Sequence, residues 1–194
     1  VFTTKSDTEV LLKAYIFYGK KFLNFLEGMW SFVIFDNKAK KLFISRDRFG
    51  EKPLYYYLNK KDFYFGSEIK FIKSLSKNKF KINKKKLIKY LFLGYKSLKK
   101  DYDTFFQGIF EFPRGSFCVI KKFINFKIKK YWTLKYKPKN ITTKSAILKV
   151  KKLLSESIKI RMRSDVPIAC SLSGGIDSNV LIGYVKKKFK KKTK

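Results

Sequence analysis

The sequence predicts an α+β domain followed by the opening of an α/β unit. Between residues 29 and 66 one strand-like run follows another with no crossover helix, so that sheet must be antiparallel. Helical patterns at both ends can cover the faces of the sheet. Beyond residues 135–143, a lysine-rich stretch with Pro138, Asn140 and two threonines, the pattern becomes helix, short apolar run, glycine loop and helix. That order opens a parallel α/β sheet. The expected division is 1–134, a linker over 135–143, and 144–194.

Ser6-Asp7-Thr8-Glu9 fits a capping box, with Ser6 as N-cap and Glu9 three residues on. Val10, Leu11, Ala14, Tyr15, Phe22, Phe25 and Leu26 extend the helix, and Gly28 stops it. Met29 to Phe35 is a nearly unbroken apolar run, read as a strand buried on both faces. The polar stretch 36–40 is a turn, and Lys41 to Ser45 completes a hairpin. Leu54 to Tyr57 and Phe63 to Gly66 are two further strands, followed by a short helix from Ser67 to about Leu75. Lys81 to Leu93 is a helix candidate, Pro113-Arg114-Gly115 a turn, and Ser116 to Trp132 another hairpin. After the linker a helix from Ser145 to Arg163 leads into a strand over Ile168 to Leu172, with a last helix from about Ser178.

The 194 residues carry 47 Lys plus Arg against 14 Asp plus Glu, a formal net charge of +33. Hydrophobic residues make up 45%, enough for a core, so this is no disordered basic tail. No run of about 18 uncharged apolar residues would cross a membrane as a helix, and Val1-Phe2-Thr3-Thr4 lacks a secretory leader. The expected location is cytoplasmic. The chain begins with Val1 rather than Met and is read as incomplete. Two cysteines cannot make a disulfide framework, and the absence of histidine excludes His-based triads and Cys/His zinc sites.

Such a charge would normally point to nucleic acid or an anionic membrane. Only Arg46, Arg48, Arg114, Arg161 and Arg163 are arginines, however, and arginine is the residue that forks onto phosphate and guanine. The excess residues (Lys, Phe, Ile, Asn, Tyr) all have A/T-rich codons. The charge is therefore read as compositional, with no specific nucleic-acid partner and no membrane partner. A lysine-rich nucleic-acid-binding protein is the alternative of a different class.

The chemistry-bearing segment is Ser173-Gly174-Gly175-Ile176-Asp177-Ser178, between the expected strand and helix. Two glycines let backbone N–H groups approach an anion, and the helix N-terminus adds unpaired donors. Asp177 caps the helix or helps hold Mg²⁺ beside phosphates. No Gly-Lys-Ser/Thr follows, so this is not the common phosphate loop. It resembles instead the pyrophosphate loop of N-type ATP pyrophosphatases.

With Ser164-Asp165-Val166-Pro167 ahead of it, the loop resembles the entry to the synthetase domain of glutamine-hydrolysing asparagine synthetases. Glu27-Gly28-Met29-Trp30-Ser31-Phe32, the run from Arg46 to Tyr56, and Gly66-Ser67-Glu68-Ile69-Lys70 resemble the same family's glutaminase domain. Gly108-Ile109 with Pro113 and Gly115 resembles its joining segment. The resemblance implies an N-terminal-nucleophile (αββα) glutaminase-like fold, then the start of an adenine-nucleotide alpha-hydrolase-like domain. It implies glutamine, aspartate and ATP as substrates, with Mg²⁺, and a possible homodimer in the full-length form. Aspartate would be adenylated and then amidated by glutamine-derived ammonia. A paralogous amidotransferase with another acceptor is the second enzyme reading.

The family's nucleophile is an N-terminal Cys, which these 194 residues lack; no catalytic residue carries over, and the chain by itself is expected to be inactive. Asp7 matches the position that holds the substrate's amino group. Leu172, Ser173, Gly174, Gly175, Asp177 and Ser178 match the ATP-binding loop, with Asp177 as the Mg²⁺ residue. Cys118 and Cys170 read as buried small hydrophobes, Arg46 and Asp47 as a structural ion pair, and Trp30 and Tyr55 to Tyr57 as core and sheet residues.

Overall fold

A computed structural model of the chain describes residues 2–60, 62–94, 101–121 and 126–188. It divides into two compact units, Val1–Leu134 and Lys135–Lys194.

In the first unit, α1 spans Asp7–Tyr18, and the Ser6 hydroxyl accepts the Thr8 N–H at its start. Only half of the expected capping box forms. Glu9 turns past Ser6 and accepts the N–H and hydroxyl groups of Thr3 and Thr4, tying the N-terminal residues onto the helix. The helix also ends earlier than Gly28. Gly19 adopts φ +53° and stops it, and a 3₁₀ helix over Gly19–Asn24 turns Phe22 and Leu23 into the core.

Two antiparallel sheets follow. β1 (Ser31–Asp36), β2 (Lys41–Arg46), β6 (Ser116–Ile120) and β7 (Ile128–Lys130) form one in that order. β3 (Tyr55–Leu58) lies between β4 (Phe63–Gly66) and β5 (Ile109–Glu111) in the other. Register decides the two faces of the first sheet. Val33, Ile44, Cys118 and Ile128 align on one side and pack with Leu54, Tyr56, Phe63 and Phe112 towards the second sheet. Ile34, Phe43 and Val119 align on the other, under α1 and the 3₁₀ helix with Leu11, Tyr15 and Phe22. α2 (Ile69–Ser76) buries Ile72 beside β4 and β3. The order from outside in is helix, sheet, sheet, helix.

β1 is not buried on both faces as its apolar run suggested. It is an edge strand, and Phe35, whose side faces the second sheet, remains 60% exposed because only three short strands lie there. β5 carried no strand expectation; at three residues it is too short for alternation to show. α3 spans Lys84–Leu93, capped by the Asn83 side chain and by Gly94 at φ +67°.

The second unit holds α4 (Thr143–Arg161), N-capped by Thr142, and α5 (Ile176–Lys188). Ile158, Met162 and Val185 make a small core between them with Leu154, Ile168 and Tyr184. The strand expected over Ile168 to Leu172 is absent: these residues join no ladder among the described residues. A strand exists by its ladder, and no described residue of this unit offers a partner edge. For the same reason Cys170 is exposed rather than buried, whereas Cys118 is fully buried.

Candidate functional site

Asp7 stands in the first turn of α1 at the rim of a cavity of about 720 Å³ between that helix and β1. Val10, Leu11, Met29 and Trp30 give it apolar walls, and Glu27 and Lys52 bring two more charges to it. The neighbouring Glu9 is fully engaged. Lys13 at 2.7 Å, with the two threonines, holds its carboxyl far below the usual carboxylate range. Asp7 receives only a long 3.4 Å contact from the Thr8 hydroxyl, so capping does not occupy its carboxylate.

Behind Trp30 and Lys52, which line this cavity, lie two fully or nearly buried charges, Asp47 (0% exposed) and Arg46 (5%). They are not the ion pair expected from their adjacency. The Asp47 carboxylate accepts the backbone N–H groups of Phe49, Gly50, Glu51 and Lys52 at 2.6–3.0 Å, and that of Trp30 at 3.4 Å. Arg46 donates to the carbonyls of Gly50, Lys52 and Phe112, and its ion-pair partner is Glu111 on β5 at 2.8 Å. With all these partners, Asp47 and Arg46 are each satisfied without the other. Burial lowers the guanidinium's pKa, opposed by the field of Asp47. The Ser31 hydroxyl adds a bond to the Pro53 carbonyl, so residues 30–31 and 52–53 are fixed together. Trp30 stacks on Tyr131, in keeping with its reading as a packing residue.

The second candidate site is the turn ahead of α5. Gly174 sits at φ +79°, and no described residue lies within 4 Å of where its Cβ would be. Gly175 has no positive φ; a Cβ there would meet only the Ser173 hydroxyl at 3.5 Å. The Ser173 and Ser178 hydroxyls lie 3.0 Å apart, and Ser178 donates to the Gly175 carbonyl. Asn179, a residue not singled out from the sequence, donates to the Gly174 and Gly175 carbonyls. Leu172 and Ile176 are exposed at 58% and 82%, and Asp177 lies in the first helical turn. The structure thus gathers residues 173–179 into one turn at the N-terminus of α5. Among the described residues, no three His, Cys, Asp or Glu side chains cluster as a metal site.

Sequence reasoning missed Glu111 and Lys52. Glu111 lies in a strand too short to recognise, and Lys52 is one lysine among many; the Pro53 that follows it was the only local signal.

Comparison with known proteins fits this layout. The sequence model of a glutamine amidotransferase domain matches residues 1–132, and that of asparagine synthase matches residues 149–194. A Methanocaldococcus jannaschii protein named "Putative asparagine synthetase, glutamine-hydrolyzing, 2" is 39% identical over 191 residues, covering 94% of this chain and 36% of the relative. The glutamine-hydrolysing asparagine synthetase 1 of Bacillus subtilis is 32% identical over 185 residues, covering 95% of this chain and 29% of its own. Amidase chry2 of Gibberella zeae is 31% identical over 197 residues, covering all of this chain and 28% of its own. The chain therefore spans about a third of the length of these curated relatives. With its glutamine amidotransferase domain running into an asparagine synthase segment, the chain belongs to the family of glutamine-hydrolysing asparagine synthetases.

Proposed function

We propose that this chain serves glutamine-dependent, ATP-driven synthesis of asparagine, its first unit handling glutamine and its second the nucleotide. The first unit would be an N-terminal-nucleophile glutaminase fold, a reading supported by its helix, sheet, sheet, helix layering. Asp7 would hold the ammonium group of glutamine. In the second unit, Leu172 to Gly175 with Asp177 and Ser178 would cradle the pyrophosphate of ATP. Aspartate would attack the α-phosphate there, and ammonia would then displace AMP from the acyl-adenylate.

The observation that carries this reading is the turn at Gly174 and Gly175. Its open face and the unpaired donors of a thirteen-residue helix suit a polyphosphate. Mg²⁺ would neutralise charge on the leaving pyrophosphate. Asp177 would be its one protein ligand from this loop, with phosphates and water completing the shell, as that ion prefers.

The amidase relatives favour a second reading, in which the same parts serve another carboxylate acceptor. The test joins this chain to a complete synthetase domain and measures AMP and pyrophosphate release over a panel of carboxylic acids. Release that depends on aspartate supports asparagine synthesis, and release with another acid alone supports the second reading. No release with any acid overturns the nucleotide assignment.

A further inference from the structure

We propose that a second copy of this chain docks on an aromatic patch at the end of α1, so that two chains pair through the same surface. The inference stands apart from the glutamine and nucleotide readings. Phe17, Tyr18 and Phe25 are exposed at 80%, 48% and 66%, and Ile16 beside them at 79%. The three rings stand in a row. The centroids of Phe17 and Tyr18 are 4.7 Å apart, edge to face, and those of Tyr18 and Phe25 are 4.8 Å apart. Apolar side chains scattered over a surface are ordinary, but a contiguous set marks an interaction site. The core does not need these rings, because the same segment already buries Phe22 and Leu23 completely. The patch is also fixed before anything binds. Gly19 ends α1 at φ +53° and donates to the Tyr15 carbonyl, and the Phe25 N–H closes the 3₁₀ helix on the Phe22 carbonyl at 2.9 Å. Little conformational freedom is left to lose on association.

Area and charge select the occupant. Four side chains exposed to this degree present roughly 400–600 Å² of apolar surface, at the upper end of what a lone soluble domain carries. Two such patches face to face remove about 1,000 Å² from water, which is where specific interfaces begin. The four residues bring no charge to be desolvated, and aromatic side chains are enriched at the centres of interfaces. A face that meets its own copy does so about a two-fold axis, each ring row packing on the other. Lys20 and Lys21, exposed in the turn that follows, repel their counterparts, as does the formal net charge of +33. Pairing is therefore opposed by charge, and added salt strengthens it. An acidic protein or an anionic lipid would be held by the same lysines and released by salt.

Sedimentation equilibrium of the 194-residue chain, over a concentration series at low and at high sodium chloride, tests this. The chain should pair reversibly, and the dimer should tighten about tenfold from low to high salt. Phe17→Gln with Phe25→Gln should weaken pairing about tenfold or more, with helix content by circular dichroism unchanged because both side chains are exposed. Phe17→Gln alone should give part of that loss. Phe92→Gln on α3, exposed at 86%, should leave pairing as it was. A chain that stays monomeric at every concentration and salt overturns the proposal. So does pairing that salt weakens, or pairing that survives both Phe17 variants. Binding of a monomeric chain to phosphatidylglycerol–phosphatidylcholine vesicles, lost in the double variant, would give the patch to a lipid surface and overturn it as well.

Discussion

Arg46 on β2 and Glu111 on β5 meet at 2.8 Å, and this contact ties one sheet to the other. The Arg46 side chain is 6% exposed and that of Glu111 18%, so the pair is poorly screened. Glu111→Ala leaves a buried guanidinium with carbonyl partners only. It should cost about 2–4 kcal/mol in chemical denaturation, near the lower end for breaking a buried pair. Glu111→Gln keeps an acceptor and should cost clearly less.

Gly115 occupies φ +61°, and a Cβ there would lie 2.8 Å from the Trp132 carbonyl oxygen. Its N–H and carbonyl are also bonded, to Asp47 and to Tyr131 and Trp132. Gly115→Ala should therefore lose about 2–4 kcal/mol, from strain plus a backbone clash. Gly94, at φ +67° with no described neighbour in reach, isolates the strain; Gly94→Ala should cost about 1 kcal/mol. Equal losses at the two positions would show that the clash is relieved by movement.

Burial pushes the Cys118 thiol up to about 11. Desolvation also raises Tyr56 and Tyr131. These groups stay protonated in the folded chain at pH values where the unfolded chain has released its protons. For Cys118 stability is then fully present below the ordinary thiol value near 9 and falls as pH rises towards 11, by about 1.4 kcal/mol per pH unit, and the tyrosines add to the descent only above their ordinary value of 10. Cys118→Ala should flatten part of that descent. Iodoacetamide at neutral pH should modify Cys170 and spare Cys118.

In an enzyme that joins this chain to a complete synthetase domain, Asp177→Ala and Gly175→Val should each abolish formation of AMP and pyrophosphate. The reason at Gly175 is space over the loop rather than backbone strain, because the positive φ belongs to Gly174. Gly175→Val should therefore leave the thermal midpoint almost unchanged while ATP binding is lost. Ser178→Ala, which removes one hydroxyl that would bond the phosphates, should cost about 1.5–3 kcal/mol in nucleotide affinity. Normal AMP production by folded Asp177 and Gly175 variants would refute the loop assignment.

The α+β class, the first hairpin and the bounds of β4 were legible because each rests on local pattern: alternation, turn residues, a capping serine. What was not legible depended on neighbours. Ile168 to Leu172 has the composition of a strand but no described ladder partner, and Cys170 is exposed with it. The edge position of β1 cannot be seen in an apolar run that would look the same in mid-sheet. Arg46 and Asp47 were rightly read as structural charges, but the partners were misassigned. Those of Asp47 are backbone amides, and that of Arg46 lies 65 residues away. In the candidate site, Asp7 and the glycine turn were visible as motifs, whereas Lys52 emerged only when its backbone was seen fixed from both sides.

Four consecutive amides, those of Phe49 to Lys52, end on one carboxylate that solvent does not reach. None of them belongs to a helix or a strand. In hydrogen–deuterium exchange such a loop should behave like sheet interior, with all four protons leaving in one opening event. Asp47→Asn would replace an anionic acceptor by a single amide oxygen, and the four amides should then separate into independent, faster exchangers. The protection of this irregular segment would thus rest on one side chain.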